Sequence, residues 1–284
     1  MADALDSRCA ILALTESVAG TAPVAAGWVC VEQRGAWPRS VDEHDDPSIR
    51  ALHERASAIG WKLLLIRRPG RVEPGGPIRV LLADTSPAAP RITTLIVDGP
   101  AELDAIVPGE TEGEEHPGGL LLVCTHGRRD RCCALDGRAL AVAVRSIGEP
   151  DVWECSHLGG HRFAPTALVL PTGYLYGRID VSGAVAAGKA AGLGEVELGQ
   201  CRGRSAWSPA GQVAELAVRE VTGLRDAAAL VVAADDGPDV LVTSVDGNRW
   251  SVPVWQSTNP ARPASCGAAP TPSTSWHAGD PVAI

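Results

Sequence analysis

Apolar residues recur along this chain with two different periods, and the period changes sharply at turn residues. Behind Asp46-Pro47, the residues Ile49, Leu52, Ala56 and Ile59 fall three and four apart and Gly60 follows. This spacing predicts an amphipathic helix with proline in its first turn and a glycine stop. The runs 61–66, 78–83 and 92–97 are short, β-branched or leucine-rich, and separated by Gly75, Gly76, Pro77, Pro87 and Pro90. They read as strands joined by turns, making an α/β first region. Further on, Gly119-Leu-Leu-Leu-Val123 predicts a buried strand that delivers Cys124 at its carboxyl end, where ligand sites of open α/β sheets commonly lie. Leu140–Ile147 predicts a helix stopped by Gly148, and Asp151–Glu154 a strand feeding residues 157–161. Ala167–Leu170, Pro171-Thr-Gly173 and Tyr174–Tyr176 predict a β-hairpin.

Two more helices are expected at 182–191 and 208–222, the second with Ser208 as N-cap, Pro209 after it and Gly223 as its stop. Strands at 230–233, 240–244 and 250–255 close the pattern, and the Pro-, Ala-, Ser- and Thr-rich tail from Asn259 is expected to be irregular. The acidic segment Pro108-Gly-Glu-Thr-Glu-Gly-Glu-Glu-His-Pro117 is the best candidate for a boundary, with His116 as a solvated loop residue. Three regions follow: 1–109, 110–224 and 225–284. No repeat of fixed period is visible.

Composition narrows the possibilities. The 284 residues are 45% hydrophobic, enough for one large domain or two modest ones. A net charge of −9 argues against non-specific nucleic-acid binding and suits docking on a basic patch of a redox partner protein. The start, Met1-Ala-Asp-Ala-Leu-Asp6, lacks a basic, apolar leader, and no run is long enough for a membrane span. A cytoplasmic location is therefore expected, where clustered cysteines are more often metal ligands or redox thiols than disulfides.

The chemistry concentrates in Cys124-Thr-His-Gly-Arg-Arg-Asp-Arg-Cys-Cys133 and Ser156-His-Leu-Gly-Gly-His161. Thiolate and imidazole are ligands for iron–sulfur centres and for zinc. Cys9, Cys30, Cys201 and Cys266 stand apart and are expected to be ordinary buried thiols. Two Cys-x-His boxes, Cys124/His126 and Cys155/His157, suggest a Rieske-type site, although the usual Cys-x-x-His box is missing. Two cysteines and two histidines also suit structural zinc, with His157-x-x-x-His161 at a zinc-ligand spacing but no short Cys-x₂₋₄-Cys knuckle.

Cys124-x-His-Gly-x-Arg-Asp-x-x-Cys133, His157-x-Gly-Gly-His161-Arg-Phe-Ala and Leu168-Val-Leu-Pro-x-Gly-x-x-Tyr-Gly177 resemble the sucrase/ferredoxin-like family of thioredoxin-like [2Fe–2S] proteins. The resemblance continues weakly in Ala19-Gly-Thr-Ala22, Trp28 and Ser265-Cys-Gly267. It implies a thioredoxin-like ferredoxin domain beside a companion α/β region. It also implies a cluster held by Cys124 and Cys133 on one iron and His157 and His161 on the other. Cys132 could compete with Cys133, but in an extended segment adjacent side chains diverge, and the family spacing favours Cys133. His126, Arg129 and Ser156 are candidates to hydrogen-bond the sulfurs. Arg128, Arg129, Arg131 and Arg162 either pair with Asp130 and Glu154 or form a basic docking patch.

The function expected is proton-coupled one-electron transfer without a substrate of its own. The rivals are a redox-sensing iron–sulfur protein and a structural Cys₂His₂ zinc protein. Glycosidase chemistry needs two facing carboxylates, and none can be nominated. Thiol–disulfide exchange usually needs Cys-x-x-Cys, which is absent.

Overall fold

The computed structural model describes residues 8–71, 73, 75–235 and 237–284; the start Met1–Asp6, on which the expectation about a leader rested, lies outside them. A short helix α1 (Cys9–Leu12) and an irregular strap precede β1 (Gly27–Glu32), helix α2 (Pro47–Ala58), β2 (Trp61–Arg67), β3 (Ile78–Asp84) and β4 (Arg91–Val97). After the two-residue β5 (Glu114–Glu115) the order starts again. It runs through β6 (Leu120–Cys124), helix α3 (Arg138–Ile147), β7 (Asp151–Cys155), β8 (Thr166–Leu170), β9 (Tyr174–Gly177) and helix α4 (Val181–Gly192).

The two passes pair their strands identically. β1 runs parallel to β2 and antiparallel to β3, which pairs antiparallel with β4. Likewise β6 runs parallel to β7 and antiparallel to β8, which pairs antiparallel with β9. Each pass thus has the 2-1-3-4 order of a thioredoxin-like unit. The first region, whose topology the residues left open, is a topological copy of the second. β2 and β7 meet antiparallel at Ile66↔Cys155 and Arg67↔Glu154, fusing both units into one α/β sheet. With β10 (Cys201–Arg204) at its far edge, this sheet has ten strands.

Local sequence explains the element ends. Asp46 accepts the Ser48 amide to cap α2, and Gly60 leaves it in the left-handed region at φ +74°. In β6, Leu120, Leu122 and Cys124 face one core while Leu121 and Val123 face another, so a continuous apolar run is buried on both sides. Helices α2, α3 and α4 lie on one face, against Val29, Leu63, Leu121 and Val123. The opposite face carries Trp28, Leu64, Leu122 and Cys124, and is covered by Cys9, Ala10, Ala22 and Ala25 of the N-terminal strap.

Helix α5 (Pro209–Thr222) packs against a second sheet of β11 (Leu230–Ala234), β12 (Asp239–Ser244), β13 (Arg249–Pro263) and β14 (Pro270–Ala278), with β15 (Val282–Ala283) on β13. The tail expected to be irregular is therefore a long antiparallel ribbon, paired from Val254↔Ala278 to Pro263↔Pro270. A ribbon of two strands has outward edges, where a proline removes no ladder hydrogen bond. A register shift between Asn259 and Arg262 absorbs the interruption. The acidic segment is likewise ordered in part, since Glu114 and Glu115 pair with Thr94 and Thr93. His116 is not solvated: its side chain is 9% exposed, with Nδ1 3.3 Å from the Thr94 hydroxyl. Among the described residues no helix is long and apolar enough to cross a membrane.

Candidate metal centre

The parallel strands β6 and β7 end side by side, and each hands over to a loop bearing candidate ligands. Cys124 is the last residue of β6 and fully buried. The chain then turns and re-enters a helix whose first complete turn, Cys133–Gly137, is a π-turn, an irregularity frequent at functional sites. Gly137 packs so closely that a Cβ there would lie 2.0 Å from the Cys124 carbonyl oxygen. That contact brings the helix carrying Cys133 directly against the end of β6. After β7, Ser156 exchanges backbone and side-chain hydrogen bonds with Leu65 of β2 (Ser156 N to Leu65 O 2.8 Å, Leu65 N to Ser156 Oγ 3.0 Å). Its hydroxyl therefore pins the histidine loop to the neighbouring unit. Gly159 and Gly160 take φ of +76° and +68°, and Arg202 donates to the Gly159 carbonyl at 3.1 Å.

Cys124 Sγ, Cys133 Sγ and a ring nitrogen of His157 lie within 4.8 Å of one another. His157 Nε2 and His161 Nδ1 are 3.4 Å apart. Two nitrogens bound tetrahedrally to one ion at about 2.0–2.1 Å would be about 3.4 Å apart. The outward nitrogens, His157 Nδ1 and His161 Nε2, are buried without a hydrogen-bond partner among the described residues. Cys124 is held well below the ordinary thiol range by hydrogen bonds from Cys133 and, against burial, from His157 and the His126 amide. Cys133 is pushed up by that same bond to Cys124 and by burial. Burial lowers His161, against the pull of Asp130, and favours the neutral ring that metal ligation requires.

A family model described as Sucrase/ferredoxin-like matches residues 18–202, which include all four of these residues. The chain belongs to the sucrase/ferredoxin-like family. Neither a curated protein nor a solved structure matches it.

Around the centre of this sucrase/ferredoxin-like chain, the other candidates are placed as follows. His126 contributes its amide to Cys124, while its ring Nε2 lies 2.9 Å from the Pro38 carbonyl oxygen of the first unit. Cys155 lies outside the converging atoms, buried in the sheet, so the two Cys-x-His boxes do not assemble a Rieske-type set. Arg129 joins Arg39, Asp42, His53, His126 and His157 in lining a cleft of about 220 Å³. Glu154 is paired with Arg67 at 2.7 Å and Arg162 with Glu16 at 2.9 Å. Arg128, Arg129 and Arg131 are exposed and make no ion pair among the described residues.

Cys132 and Cys133 do diverge, but because they sit in a helical segment rather than an extended one, where successive side chains are rotated by about 100°. Cys132 faces away from Cys124 and meets two cysteines expected to be isolated. Its Sγ is 3.7 Å from Cys9 and 3.4 Å from Cys266, and Cys266 is 3.7 Å from Cys9. Asp130 accepts the backbone amides of Cys132 at 2.8 Å and Cys266 at 2.9 Å. Burial would raise its carboxyl, but these two amides, with His161 and the Cys266 thiol, hold it below the usual value. The bond to Cys9 draws Cys132 down to about 6. No local motif could have announced this group, since its sulfurs are 123, 134 and 257 positions apart. Cys30 and Cys201 are the plain buried thiols expected, Cys201 pushed up to about 12 by burial.

Proposed function

We propose that this protein is a one-electron carrier holding a [2Fe–2S] cluster, with Cys124 and Cys133 on one iron and His157 and His161 on the other. The observation that carries the reading is the division of donors: two thiols come from the β6 loop and two facing imidazole nitrogens from the β7 loop. When bound, such a cluster exchanges single electrons, at a potential raised by replacing two thiolates with neutral imidazoles. The chain seals the two thiols at zero exposure and leaves both imidazoles half-buried, so the histidine edge is the side a partner approaches. The exposed Arg128, Arg129 and Arg131 suit an acidic redox protein as that partner.

A proton on the outward nitrogen of a cluster-bound imidazole is held more tightly once negative charge is added beside it. The potential therefore falls as pH rises. The deciding experiment is an optical and EPR spectrum of anaerobically purified protein, oxidised and reduced, with iron, sulfide and zinc analysis. About two irons and two sulfides per chain, EPR-active only when reduced, support the carrier. Colourless protein whose zinc disappears with Cys124→Ser overturns it. A potential that stays flat from about pH 6 to pH 10 removes the proton coupling.

A further inference from the structure

We propose that Cys9, Cys132, Cys266 and Asp130 form a second, separate metal site that takes one zinc ion and ties both ends of the chain to the loop carrying Cys133.

The spacing argues for a single ion. Three thiolates at about 2.3 Å from a tetrahedral zinc stand about 3.8 Å from one another. The three sulfurs here form a nearly equilateral triangle with edges of 3.4, 3.7 and 3.7 Å. A carboxylate oxygen completing that tetrahedron would lie about 3.6 Å from each sulfur. The Asp130 oxygens are 3.6 and 3.7 Å from Cys9 Sγ. The Asp130 carboxylate is also oriented in advance, since the amides of Cys132 and Cys266 each hold one of its oxygens. A disulfide would single out one close pair and leave the third thiol apart, and no pair is singled out here.

Charge gives a second reason. Cys9 and Cys132 are fully buried and Asp130 is 4% exposed. A buried carboxylate beside three thiols, each of which gives up its proton on ligation, is a donor set whose charge a bound cation would neutralise. The nearby Arg8 is taken by Asp136, through a 2.8 Å ion pair. A soft-to-borderline dication with affinity for sulfur fits this donor set, and hard oxygen-seeking ions do not.

Placement gives the site a role. Cys9 lies on α1, Cys132 begins the helical turn that positions Cys133, and Cys266 sits in the turn of the β13–β14 ribbon. Asp130 and Cys132 lie within residues 18–202, the segment matched to the family, while Cys9 and Cys266 reach the site from outside it. Asp130 also stands 3.9 Å from His161 Nε2, next to the first centre. An ion held by Cys132 would therefore immobilise the residue adjoining Cys133, and a carboxylate beside His161, at once.

The test measures zinc and iron in full-length protein purified anaerobically with both metals supplied, comparing wild type with Cys266→Ser, Cys9→Ser and Cys124→Ser. Cys266 is partly buried at a turn whereas Cys9 is fully buried, so Cys266→Ser is the variant less able to disturb folding, and circular dichroism checks it. About one zinc per chain, lost with Cys266→Ser or Cys9→Ser and kept with Cys124→Ser, supports the site. Refilling metal-free protein with cobalt gives a second readout. The Cys266→Ser change should abolish much of the thiolate-to-cobalt absorption that Cys124→Ser leaves behind. Zinc that follows Cys124 instead of Cys266 places the ion at the first centre, which overturns both this site and the carrier. Absence of zinc, iron that follows Cys266, or a mass two hydrogens short from a disulfide within Cys9, Cys132 and Cys266 overturns this site alone.

Discussion

Replacing Gly137 by alanine tests whether the close approach of α3 to β6 is what sets Cys133 beside Cys124. Gly137 has φ −66° and ψ −43°, so alanine fits the backbone, and helix propensity alone would favour it by up to about 1 kcal/mol. The obstacle is steric. The new Cβ would lie 2.0 Å from the Cys124 carbonyl oxygen and 3.1 Å from its carbon, where ordinary contact begins at 3.4 Å. Relief requires the helix start to retreat by about 1.4 Å (3.4 − 2.0) from a backbone atom that cannot rotate aside. Overpacking of this kind costs about 1–3 kcal/mol. At about 2–4 °C per kcal/mol for a chain of this size, the melting temperature should fall by several degrees. The same retreat carries Cys133, four residues upstream, away from Cys124. A displacement near 1 Å is large against a metal–sulfur bond of about 2.3 Å, so metal content should fall at least severalfold. Metal analysis and thermal unfolding of Gly137→Ala would be compared with Gly35→Ala, whose Cβ meets nothing within 4 Å. Full metal content with an unchanged melting temperature in Gly137→Ala would show that this contact does not set the cysteine pair.

Two further predictions concern groups away from the metal centres. Glu215 and Arg219 are both fully buried and 3.0 Å apart, with the Tyr174 hydroxyl donating to Glu215, so Arg219→Met should cost about 3–5 kcal/mol in urea unfolding. The double change Glu215→Gln with Arg219→Met should recover part of that loss; no recovery would refute charge burial as the cause. His44 is lowered from its ordinary 6.5 by burial, and its Nδ1 accepts the Asp46 amide while Nε2 lies 2.6 Å from the Gln33 side-chain oxygen, which needs a neutral ring. The unfolded chain then binds this proton more readily, so the stability from His44 is complete above about pH 6.5 and is lost as pH falls below it. The gap in unfolding midpoint between wild type and His44→Gln should narrow from about pH 7.5 to about pH 5.5, and a constant or widening gap refutes the assignment.

Local sequence settled what local forces settle. Asp46-Pro47 and Ser208-Pro209 mark helix starts because their side chains satisfy the first free amides, as they do at Ser48 and Gly211. The apolar run before Cys124 specified a strand buried on both faces, and the Cys and His motifs pointed to the donors at the ends of β6 and β7. Their spacing is short enough that a single pair of loops brings them close. The sequence was silent wherever partners are distant. Strand order depends on which edges find each other, so neither the repeated 2-1-3-4 topology nor the β2–β7 junction leaves a local trace. The ribbon after Asn259 reads as irregular because pairing with a second strand, not intrinsic preference, makes it a strand. Cys9 and Cys266 look like isolated thiols until the strap and the ribbon fold over the same sheet face. Tertiary structure alone places three sulfurs, separated by up to 257 positions, within 3.7 Å of one another.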